Sequence, residues 1–413
     1  MFLNVGQPID YVDPWLTSYE ARIRQLCARR RRIAYFHEAP NPSTFRYRVF
    51  NPGLTLAANT ECDVSAAWFG VRDLESDDGF IDEADALVIC RTRYDTAVAR
   101  MISRARALGV PVLFDCDDLV FDTDLLHLIV DTLNLDQRDE GVWNLWFALV
   151  SRTAAVMRLC DAFVTTNTLL ADCAKQCRPQ MPTAVVPNYL NPDQQAYSES
   201  LYHAKRDSGW ARDERIHIGY FSGTPTHNRD FAIAAPAICR LMEADSRVVL
   251  RIVGCLDPGP ELARYRDRIE VFPLQDFLNL QRRVAQVEIN IAPLQDNLFT
   301  NCKSELKFFE AAICGTLTLA SPTFCFRNAI QDGQTGFLVA PYDWDEALRA
   351  AVALVDDIDR YQAIAGAAFA YARDNYASDK HSDTILRAVF GSATPRPSAS
   401  IAEEPGQAQK ELI

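Results

Sequence analysis

Apolar strand-like runs alternate with helix-like segments along most of this chain, and this alternation constrains the fold more than any other feature. Six such runs lie in the first half, from RIAYF at Arg32 to TAVVPN at Thr183. A second series of six begins with RIHIGYFSG at Arg215 and ends with GFLVAP. Strands that alternate with helices predict βαβ units around parallel sheets. We therefore predict an α/β protein with two doubly wound parallel-sheet, Rossmann-like domains that face a cleft.

A polar segment separates the two series and places the domain boundary. From Asn191 to Asp213 the apolar periodicity is lost, as expected between domains. The length of 413 residues also suits two domains. We predict an N-terminal domain over 1–200 and a C-terminal domain over 201–390. The Pro-, Ser-, Ala- and Glu-rich residues 391–413 are predicted to form a flexible tail.

Charge and cysteine content exclude several classes of protein. The net charge of −13 argues against a nucleic-acid partner, because binding phosphates requires excess Lys and Arg. The basic run Arg29 to Arg32 is predicted to be a solvated segment at the start of a strand, and a peripheral contact to anionic lipid is the alternative. The twelve cysteines show no zinc-ligand spacing. Neither a signal peptide nor a run of ~18 apolar residues is visible, so we expect the cytoplasm, including the inner face of the membrane.

The segment GYFSGTPTHNRDF, at the start of the second series, is a candidate phosphate-binding turn. Its turn contains Ser222, Gly223 and Thr224, and a helix is predicted to begin near Asn228. A glycine lets backbone amides approach a phosphate, and the helix N-terminus adds partial positive charge. Arg229 could pair with a diphosphate through both of its terminal nitrogens. An ordinary strand-to-helix connection is the alternative.

The segment NCKSELKFFEAAICGTLTLAS contains a second candidate group. On one helix, Lys303, Lys307 and Glu310 would share a face at positions i, i+4 and i+7. Two lysines can hold phosphates while one glutamate accepts hydrogen bonds from both ribose hydroxyls. The alternative is a solvated stripe of ion pairs, which would add little stability.

In the first series, PVLFDCDDLVFD places three carboxylates at a strand end. Asp115, Asp117 and Asp118 could hold a divalent metal, because carboxylate oxygens suit Mg²⁺ or Mn²⁺. That reading leaves the second half of the chain without a role. We therefore expect these carboxylates to face the cleft and to contact sugar hydroxyls or polarise an acceptor, without metal. Capping of the strand end is a further alternative.

The segment RIAYFHEAPNPSTFRYRVFN supplies the last candidates. Ser43 or Thr44 is a good N-cap for a helix whose first turn carries Arg46. Arg46 is placed to contact a charged donor or acceptor, although an ion pair to the neighbouring acidic loop fits equally well. His37 and His227 are weaker candidates, since a lone histidine is more often structural.

With these residues the chain resembles glycosyltransferase family 4, the "group 1" transferases with the GT-B fold that build bacterial polysaccharides and O-antigens. The similarity is strongest from Gly219 to Pro341. Family members show a Glu-x7-Glu signature followed by Ala-rich sequence and a strand. Glu310 matches the second glutamate, which in the family holds the ribose, whereas Cys302 stands at the first. Asp117-Asp118 replaces the family's His-Asp pair.

The resemblance implies transfer of a hexosyl or deoxyhexosyl group from a nucleoside diphosphate sugar, with retention of configuration and without metal or cofactor. The N-terminal domain would bind a saccharide or lipid-linked glycan acceptor and the C-terminal domain the donor, in surface polysaccharide assembly. The leaving phosphate would help to deprotonate the acceptor, and cationic groups would stabilise it. A nucleotide-sugar epimerase and a degenerate, non-catalytic assembly subunit are the alternatives.

Overall fold

The computed structural model describes residues 1–76, 79–223 and 228–391. Within these ranges the backbone forms two parallel six-stranded sheets, one from each half of the chain. The predicted α/β architecture is confirmed, and each of the twelve apolar runs contains a strand. The strands are β1 (Arg31–Phe36), β2 (Val64–Phe69), β3 (Ala86–Cys90), β4 (Val112–Cys116), β5 (Ala162–Thr165), β6 (Thr183–Val185), β7 (Ile216–Ser222), β8 (Val248–Gly254), β9 (Ile269–Phe272), β10 (Ile289–Ala292), β11 (Leu317–Ala320) and β12 (Phe337–Leu338).

Both faces of the sheets are covered, which explains the continuous apolar runs. In β1, Ile33 and Tyr35 belong to one hydrophobic core, whereas Ala34 and Phe36 belong to another on the opposite face. Parallel strands buried on both sides need apolar residues at every position. The covering helices are α1 (Tyr19–Leu26), α2 (Asn51–Ala58), α3 (Val71–Ser76), α4 (Phe80–Glu83), α5 (Thr96–Ala107), α6 (Leu126–Thr132), α7 (Glu140–Leu159), α8 (Thr168–Cys177), α9 (Pro192–Asp207), α10 (Asn228–Ala232), α11 (Ala235–Ala244), α12 (Phe277–Gln286), α13 (Leu298–Asn301), α14 (Leu306–Ala312), α15 (Phe324–Ala329), α16 (Trp344–Asp356), α17 (Ile358–Tyr376) and α18 (Ser382–Phe390).

The strand orders locate the ligand-binding edge of each sheet. The orders are β2-β1-β3-β4-β5-β6 and β12-β11-β10-β7-β8-β9. The direction of winding reverses between β1 and β3 in the first sheet and between β7 and β10 in the second. Such reversals open a crevice at the carboxyl ends of the strands. His37 and Arg91 directly follow β1 and β3, and Gly223 directly follows β7.

The polar segment between the two series forms helix α9 rather than a loop. Three of its five buried positions are polar, since Gln194, Ser198 and Lys205 are each at most 1% exposed and only Leu201 and Tyr202 join the core. The Lys205 ammonium donates to the carbonyl oxygens of Cys314 and Gly315 at 2.9 and 2.8 Å, at the carboxyl end of α14. A helix that buries hydrogen-bonding groups shows no apolar stripe in its sequence. The boundary at residue 200 stays a prediction.

Segments near each end of the described chain pack on the opposite domain. The amide of Phe2 donates to the carbonyl oxygen of Gln286 at 2.9 Å, and the Phe2 ring joins the C-terminal core. Conversely, Phe390 of α18 joins an N-terminal core, where the Arg31 guanidinium lies 3.6 Å from its ring centre. Among the described helices, none is both long and apolar enough to cross a membrane. The predicted tail lies outside the described residues, except for Gly391.

Candidate functional site

A cleft of about 760 Å³ lies between the carboxyl edges of the two sheets, where both switch points meet. It is lined by eight of the residues predicted from the sequence: Arg46, Asp117, Asp118, Ser222, Gly223, Lys303, Lys307 and Glu310. Thr224 and His227 lie outside the described residues. Asn228 and Arg229 are not among the lining residues. The cleft therefore combines both predicted groups from the C-terminal domain with the acidic strand end of the N-terminal domain.

Lys307 places an unpaired cation in the cleft. Its Nζ atom is buried and has no hydrogen-bond partner among the described residues. The ammonium lies 4.5 Å from the centre of the Tyr220 ring. Burial lowers the pKa of Lys307 to about 8, although Asp230 and Glu310 pull in the opposite direction. A buried ammonium without a partner is costly, so this position favours an anionic ligand.

Lys303 lies in the cleft but not on the predicted helix face. The chain leaves α13 at Asn301, and α14 begins only at Leu306, so a turn carries Lys303. Glu305, at φ −83° and ψ 22°, departs from helical geometry just before α14. The prediction of one continuous face with Lys307 and Glu310 was therefore wrong. The turn still directs Lys303 to the cleft wall.

Glu310 joins the two domains through one carboxylate oxygen. Its Oε1 accepts hydrogen bonds from Arg46 Nη2 at 3.2 Å, from Gln194 Nε2 at 3.1 Å and from the Tyr47 hydroxyl. Arg46 also donates to Gln194 Oε1 at 2.9 Å and to the Pro42 carbonyl oxygen at 2.8 Å. No described residue forms a hydrogen bond with Oε2. One oxygen of Glu310 thus holds the domain contact, and the other has lone pairs for a ligand.

Arg46 begins a π-helical turn, Arg46–Phe50, rather than an ordinary helix opened by Ser43 or Thr44. It is 4% exposed and lines the cleft. Of the two sequence-based alternatives, the ion pair forms, but with Glu310 of the other domain instead of the acidic loop. The sequence did not predict that Tyr47 and Gln194 belong to the site, because no local pattern indicates a contact between residues of different domains.

Asp117 and Asp118 are organised by an arginine that sequence analysis did not single out. Arg91 Nη1 donates to Asp117 Oδ1 at 3.1 Å and to Asp118 Oδ2 at 2.8 Å. The Thr44 hydroxyl donates to Asp117 Oδ2 at 2.9 Å. Arg91 directly follows β3 and adopts φ 40°, which aims it along the carboxyl edge. Its position after a predicted strand was the signal that could have found it.

Asp115 does not face the cleft, which corrects the expectation for the acidic cluster. It is 3% exposed and forms a two-pronged ion pair with Arg48, with both nitrogen-to-oxygen distances at 2.8 Å. Asp115 lies inside β4, all of whose residues are buried, whereas Asp117 and Asp118 follow the end of the strand. Burial raises the pKa of the Asp115 carboxyl, against the lowering effect of Arg48.

Arg229 reaches the other domain instead of the cleft. Its Nη1 donates to the carbonyl oxygen and to Oδ1 of Asp131 in α6, at 2.7 and 2.5 Å. Asn228 Oδ1 accepts from the amide of Asp257 at 3.4 Å. Contact of Asn228 or Arg229 with a donor phosphate stays a prediction, and in the described arrangement Arg229 is engaged by a carboxylate.

His37 lines the cleft at the end of β1. Its Nδ1 lies 2.8 Å from the carbonyl oxygen of Ala39, and burial lowers its pKa. Within the described residues, the side chains spaced to share a metal ion are Asp213, His217 and Glu288. His217 is near the amino end of β7, so this group lies at the opposite edge from Ser222.

Residues 215–357 match the family model described as "Glycosyl transferases group 1". Among solved structures, the chain is similar to HepE of Anabaena in complex with UDP and glucose, with 13% identity, a TM-score of 0.56, and coverage of 86% of this chain and 98% of that one. For WaaG, a glycosyltransferase involved in lipopolysaccharide biosynthesis, the identity is 14% and the TM-score is 0.57, with coverage of 87% of this chain and 100% of that one. For sucrose-phosphate synthase of Thermosynechococcus elongatus the identity is 14% and the TM-score is 0.52, with coverage of 87% of this chain and 98% of that one. Among curated proteins no sequence match was found.

Proposed function

We propose that this chain transfers a sugar from a nucleoside diphosphate sugar, because residues 215–357 match the family model of the group 1 glycosyl transferases and the two-domain fold is similar to that of HepE and WaaG. The proposed acceptor is a saccharide or lipid-linked glycan in surface polysaccharide assembly. The group transferred would be a hexosyl or deoxyhexosyl unit, with retention of configuration. The reaction would take place in the cytoplasm, including the inner face of the membrane.

The observation that carries this proposal is the buried Lys307 ammonium in the interdomain cleft, which has no hydrogen-bond partner in the described part of the chain. A nucleoside diphosphate brings two phosphates that would supply the missing anion. Lys303 and the backbone amide at Gly223 line the same cleft and would contact the diphosphate from other sides. Glu310 would accept ribose hydroxyls at Oε2 while Oε1 keeps the domain contact. HepE in complex with UDP supports a nucleotide of this kind.

The N-terminal wall would hold the acceptor. Asp117 and Asp118 would also accept hydrogen bonds from sugar hydroxyls, and Arg91 fixes the orientation of both carboxylates. In the reaction, the bond between the anomeric carbon and the diphosphate oxygen would break. The acceptor oxygen would bond to the same carbon, on the same face of the sugar ring. The acceptor proton passes to the leaving phosphate oxygen. Lys303 and Lys307 would stabilise the developing charge, so neither metal nor cofactor is required.

A comparison of two lysine variants tests the proposal. Lys307→Met should reduce kcat/KM for the nucleotide sugar by about 100-fold or more, a loss typical of a cation that stabilises a leaving group. Lys175→Met is the matched control, because Lys175 is an exposed lysine on α8. UDP-, dTDP- and GDP-sugars would be assayed for transfer and for slow hydrolysis. Equal behaviour of the two variants, with no turnover of any donor, would overturn the proposal.

A non-catalytic assembly subunit is the second candidate, and Cys302 is the observation that favours it. At the position of the family's first glutamate, Cys302 is fully buried, with its sulfur 3.9 Å from that of Cys173 in α8. It cannot contact a donor sugar from there. Calorimetry with UDP, dTDP and GDP separates the candidates, because an assembly subunit need bind none of them. Product analysis without acceptor would identify an epimerase, which converts its donor.

A further inference from the structure

The segment of helix α7 from Gly141 to Val150 has Asn144 as its one polar side chain, yet it is incompletely buried. From Gly141 to Val150 the sequence GVWNLWFALV contains no charged residue. Leu145 is 56% exposed and Phe147 is 47% exposed. A helix that is apolar all round is normally enclosed by protein, so these exposed side chains indicate a surface that binds something apolar.

This surface continues into the interdomain cleft. Trp146, Leu149 and Val150 occupy positions i, i+3 and i+4 of α7 and line the cleft on one face of the helix. Ile129 and Leu133, in and just after α6, complete the same wall. We call these five residues the apolar wall. The hydroxyls of a pyranose and the oxygens of a diphosphate require hydrogen-bond partners, which the side chains of the apolar wall do not offer along its length.

We propose that the apolar wall, together with the exposed side chains of Leu145 and Phe147, binds one hydrocarbon chain attached to the acceptor. This inference rests on the proposed transferase function and specifies its acceptor as a lipid-linked glycan. The sugar of the acceptor would meet Asp117 and Asp118, while its chain would run along Trp146 and leave the cleft past Leu145 and Phe147.

The charges around α7 favour a single neutral chain over an anionic bilayer surface. Asp136 and Asp139 precede the helix and Glu140 is its first residue, and Arg138 pairs with Asp136 at 3.1 Å. The next cation along the helix, Arg152, donates to the carbonyl oxygen of Tyr94 at 2.6 Å. Adsorption to anionic lipid depends on clustered Lys and Arg, which this part of the described surface lacks.

Monomeric alkyl glucosides test the inference directly, without knowledge of the natural acceptor sugar. Hexyl, octyl and decyl glucosides would be titrated into the full chain below their critical micelle concentrations, by calorimetry and tryptophan fluorescence. The affinity should rise about three- to fourfold for each added methylene group that the wall encloses. Glucose and vesicles of anionic phospholipid are the comparison ligands.

Three variants locate the site, and thermal melts confirm that each is folded. Trp146→Ser should weaken decyl glucoside on the order of tenfold, whereas Trp146→Phe should retain most of the affinity. Val271→Ser, at an apolar residue of β9 that is 63% exposed, is the matched control. Loss of affinity in the control, no dependence on chain length, or binding to vesicles alone would overturn the inference. Binding of UDP, dTDP and GDP reports separately on the proposed function.

Discussion

Replacing Arg48 by Met should destabilise the protein by about 3–5 kcal/mol, the range for breaking a buried ion pair by removing one partner. Arg48 is 2% exposed, and its two bonds to Asp115 are both 2.8 Å long. Arg48 also donates to the carbonyl oxygen of Val186 at 2.6 Å and to Asn188 Oδ1 at 3.2 Å. Methionine fills a similar volume but leaves the Asp115 carboxylate buried without a cation.

The size of this loss should depend on pH. Burial already raises the pKa of Asp115 while Arg48 lowers it, so removing Arg48 raises the pKa further. The folded variant then binds a proton that the unfolded chain, with an aspartate pKa of about 3.9, does not bind. A pKa raised on folding adds stability at low pH, and this stability disappears as pH rises through the folded pKa. The loss should therefore be smaller near about pH 5 than near about pH 8.

Urea unfolding of a double-mutant cycle measures the effect. The proteins are the natural sequence, Arg48→Met, Asp115→Asn and the double variant, each followed by tryptophan fluorescence. The double variant should be more stable than the sum of the single losses predicts, by about 2 kcal/mol or more, because it leaves no orphaned charge. Additive losses, or Arg48→Met within about 0.5 kcal/mol of the natural protein, would refute a coupled buried pair.

Three further results are expected. Nucleoside diphosphate affinity should fall as pH rises through about 8, the pKa of Lys307, because the free ammonium loses its proton. Calorimetry above about pH 7, where the terminal phosphate is already fully ionised, measures the slope, and a flat profile contradicts the role of Lys307. Gly254→Ala should weaken nucleotide binding and lower Tm, because the added Cβ would lie 1.8 Å from the carbonyl oxygen of Ser222, the last residue of β7. Gly259→Ala is the control: its φ is also positive, but no described atom lies within 4 Å of the added Cβ, so this variant should lower Tm less and leave binding intact. Diamide should join Cys173 to Cys302, detected by peptide mass spectrometry and reversed by dithiothreitol, because their sulfurs lie 3.9 Å apart; a cross-link between other cysteines would contradict this.

The strands could be read from the sequence because each one is buried on both faces. Such a strand requires a nearly unbroken apolar run, and that requirement is local. The placement of Gly223 in the cleft was predictable for a related reason, since this residue directly follows β7 of the second sheet. The end of α5 also followed local turn chemistry, because Gly109 at φ 71° directly follows the C-cap of the helix.

By itself, the sequence determined the two parallel sheets and the carboxyl strand ends at which ligands are expected. The strand order, which sets the two switch points, came from the structure. Only the tertiary structure decided which charged groups face that cleft. Asp115 pairs with Arg48, Arg46 with Glu310 and Arg229 with Asp131, across 67, 264 and 98 residues of chain. Partners so far apart meet because sheets and domains pack in one particular way. Local periodicity fixes an element and its buried face, whereas the pairing of buried charges depends on which element packs against it.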